Sequence, residues 1–516
     1  MATTISNLRP VADRNLTQML SILVGHCYFL RFDRKQWERA KPYPPLATLQ
    51  TASSLRTAGH QVAVFDAMLA EGPEQFVAQL RDVRPQLVVL YEDNFNFLSK
   101  MCLEKMRAAA CLMIAAARST GARVLVAGSD ATDAPAAYLA AGADVVLIGE
   151  GLAALAELSR RLSAQIDMGT ARLVQGLSEV AYLLDGSIVR ERAEKPVTSA
   201  SHPAMPALDL IDVDRYRQVW QRAHGYFSLN MSASRGCSFR CNWCSKPIWG
   251  NRYLQRPALE VAAEMADLKR RFAPDHVWFA DDIFGFRADW VETFAAAVTA
   301  DDCGIPFTVQ VRPDLISLRM ARALRAAGCR EAWIGAESGS QRVLDDMDKG
   351  TTVAEILTGR ERLRVEGIRV GFFIQLGYLG ERLEDIMATR RLIEMARPDD
   401  IGVSVSYPLP GTKFYERVKA QLGPKTHWQE SDDLAMMFKG SYSTEFYRSV
   451  RNLLHAGVDA EQPAARRDRS AHQTAMRAIQ RRWDELLATE HDHRLEPLTH
   501  AAGSGTPAAS IAAGVA

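Results

Sequence analysis

Net charge is nearly missing from this chain: 62 lysines and arginines face 61 aspartates and glutamates, a formal +1. A balance this even supplies no field to draw the chain to nucleic acid or to an anionic membrane, so no nucleic-acid partner is expected. Long apolar runs are missing too. The longest, Ala108 to Ala117, is bracketed by Arg107 and Arg118, whereas a bilayer span needs about 18 or more residues. No membrane span is expected. The opening stretch, MATTISNLRPVADRNLTQML, lacks the basic-then-apolar order of a secretory signal. Cysteine is scarce, eight in 516 residues, and its spacing is not that of a disulfide framework. These absences together predict a reducing, cytoplasmic setting. No G-x-G-x-x-G follows any apolar run, which argues against a dinucleotide site.

What is present is ordinary globular composition over a length that one hydrophobic core rarely supports. Two or three domains are expected. Residues 1–163 alternate apolar runs (SILVG, HQVAVFD, PQLVVLY, ARVLVAG, ADVVLIG) with helical patterns. Continuous apolar strands joined by helices predict a doubly wound parallel α/β sheet of flavodoxin or Rossmann type, with its ligand beyond the carboxyl ends of the strands. Residues 164–227 read as a linker containing a hairpin that turns at Asp185-Gly186. Residues 228–410 hold six further strand–helix units, predicting a partial (β/α)6 TIM-like barrel with its chemistry at the strands' carboxyl ends. One helical stripe there is Val261, Met265, Leu268 and Phe272, and Gly328 and Gly367 stand where helix C-caps belong. Residues 411–498 read as a helical C-terminal region whose aromatics suit helix packing. Residues 499–516 are small-residue, low-complexity and expected to be disordered.

Three of the eight cysteines fall within eight residues, at Cys237, Cys241 and Cys244, just after the apolar strand ending near Ser234. A [4Fe–4S] cluster ordinarily takes four thiolates. Three leave one iron open to bind a small molecule and pass it an electron. A zinc site usually wants four ligands, often as paired clusters, and Cys303 and Cys329 stand apart.

The segment C-S-F-R-C-N-W-C resembles the C-x3-C-x2-C signature of the radical S-adenosylmethionine (SAM) superfamily, with an aromatic residue before the last cysteine. The resemblance implies a cluster on Cys237, Cys241 and Cys244, chelation of its open iron by SAM, and reductive cleavage to a 5′-deoxyadenosyl radical. It further implies SAM-binding roles along the strand ends. Asp281 and Asp282 would hold the amino group, although strand-end carboxylates also cap helices. Arg312 would meet a carboxylate, Glu337 and Ser338 (in AESGS) the ribose or methionine part, and Trp243, Gln375 and Gly377 the adenine. An external electron donor, such as flavodoxin or ferredoxin, and a small-molecule substrate follow from the same likeness.

A flavodoxin-like sheet ahead of such a barrel resembles the class that carries a cobalamin (B12) domain. Pro45 and Leu46 (PYPPLATLQ), Gly128 and Ser129 after the fourth strand, and Gly149, Glu150 and Gly151 (IGEG) are the positions this resemblance assigns to cobalamin. No D-x-H-x-x-G is present, so a protein histidine as lower cobalt ligand is not expected; His26 reads as a hydrogen-bonded loop residue. The function implied is cobalamin-dependent methyl transfer to an unactivated carbon. Two alternatives stay open: a radical oxidative cyclase resembling the anaerobic magnesium-protoporphyrin monomethyl ester cyclase, and a non-catalytic cobalamin- or metal-binding regulator.

Overall fold

The computed structural model describes residues 18–96, 101, 103–191, 204–244, 252–425, 427–431, 433–462 and 465–495. The expected disordered tail, 499–516, and part of the expected linker, 192–203, lie outside the described residues.

The first sheet is built from β1 (Ser21–Gly25), β2 (Gln61–Phe65), β3 (Leu87–Tyr91), β4 (Arg123–Ala127) and β5 (Val145–Leu147), followed by β6 (Val180–Leu184) and β7 (Ser187–Glu191). Its order is β2-β1-β3-β4-β5-β6-β7. The first five strands run parallel, in the flavodoxin order. Every residue of β3 is buried, as helices on both faces require. The order reverses between β1 and β3, so the crevice for a ligand opens at their carboxyl ends. The hairpin turns where expected, with Asp185 at φ 50° and Gly186 at φ 77°. Two left-handed residues match the right-handed twist of the flanking strands. The hairpin is not a free connector, however: β6 pairs antiparallel with β5 and extends the sheet. Buried Val180 and Ala181 give it a face to bury there.

The second sheet comprises β8 (Ser228–Met231), β11 (His276–Phe279), β12 (Phe307–Val311), β13 (Cys329–Glu337), β14 (Arg369–Leu376) and β15 (Asp400–Val405). They lie in sequence order and all parallel, with β8 and β15 at open edges. This is the curled half-barrel the six strand–helix units predict. Val261, Met265 and Leu268 are buried on the inner face of helix Ala258–Phe272. Gly328 (φ 102°) and Gly367 (φ 71°) end their helices in the left-handed conformation.

The apolar run SLNMSAS does not make one strand. It stops at Met231, and Ser234–Gly236 (β9) forms a separate antiparallel ribbon with Tyr253–Gln255 (β10). The reason is local. Asp281, at the end of β11, accepts the Ala233 N–H at 3.0 Å and the Ser234 hydroxyl, while the Ala233 carbonyl accepts from Arg256 N at 2.9 Å. The ribbon lifts the chain off the sheet and delivers the cysteines onto its carboxyl edge.

Contacts tie the two sheets together. Trp220 Nε1 donates to the Pro42 carbonyl at 2.7 Å, Asn230 Nδ2 to that of Pro44 at 2.9 Å, and Tyr216 to Asp66 at 2.7 Å. Helix Thr444–Glu461 lies against β15 and helix Arg469–Ala488. The aromatics Tyr442, Phe446 and Tyr447 are buried within that packing. No described helix is long and apolar enough to cross a membrane.

Candidate active site

Cys237 is buried, Cys241 and Cys244 are half-buried, and none forms a disulfide. The loop that carries them is fixed by Asn242. Its N–H donates to the Met347 carbonyl at 3.0 Å and its Nδ2 to the Asp346 carbonyl at 2.8 Å. Its Oδ1 accepts from the Tyr378 hydroxyl at 2.8 Å, and its carbonyl from Phe414 N at 3.0 Å. A side chain satisfied on so many sides leaves the thiols between it few ways to move.

Two cations sit beside the thiols. Arg312, at the end of β12, places Nη1 3.7 Å from Cys241 Sγ, and its guanidinium lies 3.6 Å from the centre of the Phe239 ring. Asp314 and the Lys349 carbonyl take its remaining donors at 3.0 and 2.9 Å. Lys349 Nζ lies 2.8 Å from Glu337 Oε1, both buried. Burial works against the Lys349 charge, yet the Glu337 carboxylate and then Cys241 hold its pKa above the ordinary value. Glu337 itself adopts φ 60° where β13 breaks register against β14. A bulky residue in that region is strained, and the buried ion pair holds it there.

The donor set fits an iron–sulfur cluster better than a single ion. Among the described residues no three His, Cys, Asp or Glu side chains gather around one point, as a zinc site would demand. A cubane instead takes each thiolate on a separate iron, and Arg312 brings a charged donor to the Cys241 sulfur.

Buried polar atoms left without partners mark the rest of this edge: Ser232 Oγ beyond β8, Trp243 Nε1 in the cysteine loop, and Gln375 Oε1 on β14. Such atoms cost stability unless something satisfies them, and a polar ligand such as SAM fits that need. Gly377 (φ 73°) donates its N–H to Glu381 at 2.7 Å, and a Cβ there would stand 3.0 Å from Met436 Sδ. Met436 and Tyr447, from the C-terminal region, therefore close over the end of β14. Ser338 pairs with Thr389 at 3.1 Å beneath Gly339. A Cβ on Gly339 would sit 2.2 Å from the Ala388 carbonyl, so this position needs glycine for close approach. Asp281 and Asp282 part company. Asp281 is buried against the β8–β9 connection, and burial raises its pKa to about 7; Asp282 is exposed. Arg312 faces the cysteine loop. Sequence reasoning missed Asn242, Lys349 and Glu381. Asn242 lies inside the cysteine motif, but nothing local to Lys349 signals its partner.

The carboxyl edge of the first sheet is lined by acids. Glu92 accepts the Cys27 N–H at 2.8 Å. Asp93 accepts the Ala47 N–H at 3.1 Å, bracing the start of helix Leu46–Thr57 just after Pro45, and burial raises its pKa to about 6. Leu46 is buried. A Cβ on Gly128 would stand 2.7 Å from Glu92 Cγ, and Ser129 opens the short helix Ser129–Asp133. Gly149 (φ 69°) donates to Thr132 Oγ1 at 3.0 Å, and Gly151 (φ 56°) starts the next helix. Between them, Glu150 reaches Arg235 of β9 at 3.0 Å. Carboxylates and close-approach glycines suit a bulky ligand rich in amide donors, as cobalamin is. His26 is fully buried; its Nε2 accepts from Ala67 N at 3.1 Å and lies 3.3 Å from Asp66. That nitrogen is committed to the loop.

Comparison with known proteins agrees with this layout. Residues 231–393 match the Radical SAM superfamily and residues 38–159 the B12 binding domain. An uncharacterized methyltransferase of Pyrococcus horikoshii is 25% identical over 275 residues, covering 53% of this chain and 57% of the relative. The anaerobic magnesium-protoporphyrin IX monomethyl ester cyclase of Cereibacter sphaeroides is 25% identical over 288 residues, 54% of this chain and 45% of the relative. The chain thus spans about half the length of these curated relatives. Among solved structures, the radical SAM methyltransferase TsrM of Kitasatospora setae, with cobalamin and a [4Fe–4S] cluster bound, superposes with a TM-score of 0.63 at 19% identity, over 79% of this chain and 76% of that one. That last likeness is one of fold. The two domains imply three cofactors: a [4Fe–4S] cluster, SAM and cobalamin. The match to the Radical SAM superfamily thus falls on the second sheet and its cysteine loop, and the match to the B12 binding domain on the first sheet.

Proposed function

We propose that the protein is a cobalamin-dependent radical SAM enzyme that transfers a methyl group to an unactivated carbon of a small-molecule substrate. Cys237, Cys241 and Cys244 hold the cluster. Trp243, Glu337, Ser338, Gln375 and Gly377 line the SAM site, while Asp281 braces the chain that delivers the cysteines. Pro45, Leu46, Gly128, Ser129, Gly149, Glu150 and Gly151 border the cobalamin site. Bound there, the cluster and SAM supply a 5′-deoxyadenosyl radical, and cobalamin supplies a transferable methyl group. The chain's own residues position these groups and keep water out. Arg312 and Lys349 steady the thiolates, and Met436 and Tyr447 cover the end of β14.

One observation carries this reading: the two ligand edges meet, joined by the contact of Arg235 with Glu150. The relative from Pyrococcus, described as a methyltransferase, supports the reaction class. Similarity to the magnesium-protoporphyrin cyclase favours a second reading, radical oxidative cyclisation. Anaerobic incubation with SAM, a reductant and cobalamin separates the two. Methyl transfer yields both S-adenosylhomocysteine and 5′-deoxyadenosine, whereas cyclisation yields 5′-deoxyadenosine without S-adenosylhomocysteine. A protein that takes up cobalamin but leaves SAM intact after reduction is a regulator instead. An electron donor of flavodoxin or ferredoxin type and a cytoplasmic setting complete the proposal.

A further inference from the structure

We infer that Arg235 is a positioning residue that sets the spacing between the cobalamin edge and the cluster edge; the inference rests on the function proposed above. Arg235 lies in β9, two residues before Cys237, and its side chain is 6% exposed. It points away from the half-barrel into the first domain. There Nη1 meets Glu150 Oε2 at 3.0 Å and Nη2 meets Gln50 Oε1 of helix Leu46–Thr57, while the guanidinium lies over the Phe95 ring at 5.6 Å.

Each of these partners belongs to a different part of the first sheet's ligand edge. Glu150 follows β5, Gln50 sits on the helix after β1, and Phe95 follows β3. The Glu150 segment is stiff on its own account. Tyr91 donates its hydroxyl to the Glu150 carbonyl at 2.8 Å, and a Cβ on Gly151 would stand 2.6 Å from Leu147 Cβ. On the other side, the β9–β10 register pairs Arg235 with Leu254, and the adjoining Ser234 hydroxyl is held by Asp281 and the Ile283 carbonyl. One planar, multidentate side chain therefore couples two braced segments, a geometry that lysine's single ammonium does not reproduce. Reaction between two cofactors depends on near-contact geometry, and about an ångström of misplacement is enough to slow it strongly.

The test uses full-length protein loaded with cluster and cobalamin, in which cob(II)alamin and the reduced cluster are both paramagnetic. Their dipolar coupling, read by pulsed electron paramagnetic resonance, reports the cobalt-to-cluster distance without any turnover. Arg235→Lys and Arg235→Gln are expected to retain cluster absorption and cobalamin uptake, yet to shift the distance to longer, broader values. Activity is expected to change as a loss in kcat for methyl transfer larger than any loss in the rate of 5′-deoxyadenosine formation. A distance distribution in both variants identical to that of the unaltered protein overturns the inference and leaves the proposed function standing. Should either variant fail to fold, Gln50→Ala provides the same readout with the ion pair intact. Unaltered protein that takes up neither cofactor overturns the proposed function, and the spacing role with it.

Discussion

The two ligand edges are built on the same plan and furnished differently. Both lie at the carboxyl ends of parallel strands, both use left-handed glycines, and both hold their loops with buried side chains. The second sheet's edge gathers thiols, with the cations Arg312 and Lys349 and the carboxyl groups of Asp281 and Glu337 around them; the first carries carboxylates at Glu92, Asp93 and Glu150, has no such thiol triplet in its sequence, and receives Arg235 from across the interface. Thiolates beside fixed cations suit a metal cluster. Carboxylates beside close-approach glycines suit a large, amide-rich ligand. The two edges thus differ in the side chains they carry, since the βα scaffold is common to both.

The sharpest way to break this contrast is at the thiols. Cys237→Ala, Cys241→Ala or Cys244→Ala is expected to abolish the visible absorption of the reconstituted cluster and all 5′-deoxyadenosine formation, while cobalamin uptake persists. Loss of both cofactors together would show that the two edges are not separable. Next in size is the buried pair. Lys349→Met leaves the Glu337 carboxyl buried without its ion-pair partner in a left-handed turn, at a cost of about 3–5 kcal/mol, read from denaturant unfolding. The double variant Lys349→Met/Glu337→Gln recovers part of it. Gly339→Ala pushes a Cβ into the Ala388 backbone and is expected to cost about 1–3 kcal/mol or more, with a matching fall in thermal stability.

A pH series sharpens the comparison further. Burial raises Glu381 to about 8. The folded chain therefore binds a proton there that the unfolded chain, titrating near the ordinary carboxylate value, releases earlier. Stability falls as pH rises from about 5 to 8, and Glu381→Gln is expected to flatten that slope while preserving the acceptor for the Gly377 N–H. Buried Asp93, with its pKa raised to about 6, gives the first sheet a gentler fall that ends at lower pH. The smallest effect is remote from both edges. Gly186→Ala has open space around it but keeps φ 77°, and should cost about 1 kcal/mol, with no change in either cofactor.

Much of the fold was legible because its signals are local. SILVG begins and ends as β1 does, Asp185-Gly186 makes the turn its residues favour, and Gly328 caps its helix. The run SLNMSAS shows the opposite. Its apolar pattern continues through Ser234, but Asp281, 47 residues further along, claims the Ser234 hydroxyl and bends the chain away. The candidate site divides in the same manner. Three thiols at fixed spacing announce themselves, since few other arrangements use them. Buried acids and arginines do not, because a carboxylate's meaning depends on what faces it.

By itself the sequence determined the βα alternation of both domains and the cysteine triplet, since periodicity and short-range spacing act over a turn or a few residues. The tertiary structure alone decided that Asn242 locks the cysteine loop, that Lys349 pairs with Glu337, that the hairpin β6–β7 extends the first sheet, and that Arg235 meets Glu150. Each of these joins groups that are distant along the chain or whose pairing no local pattern dictates. Their energies come from burial and direct contact, which exist only once the chain has closed on itself.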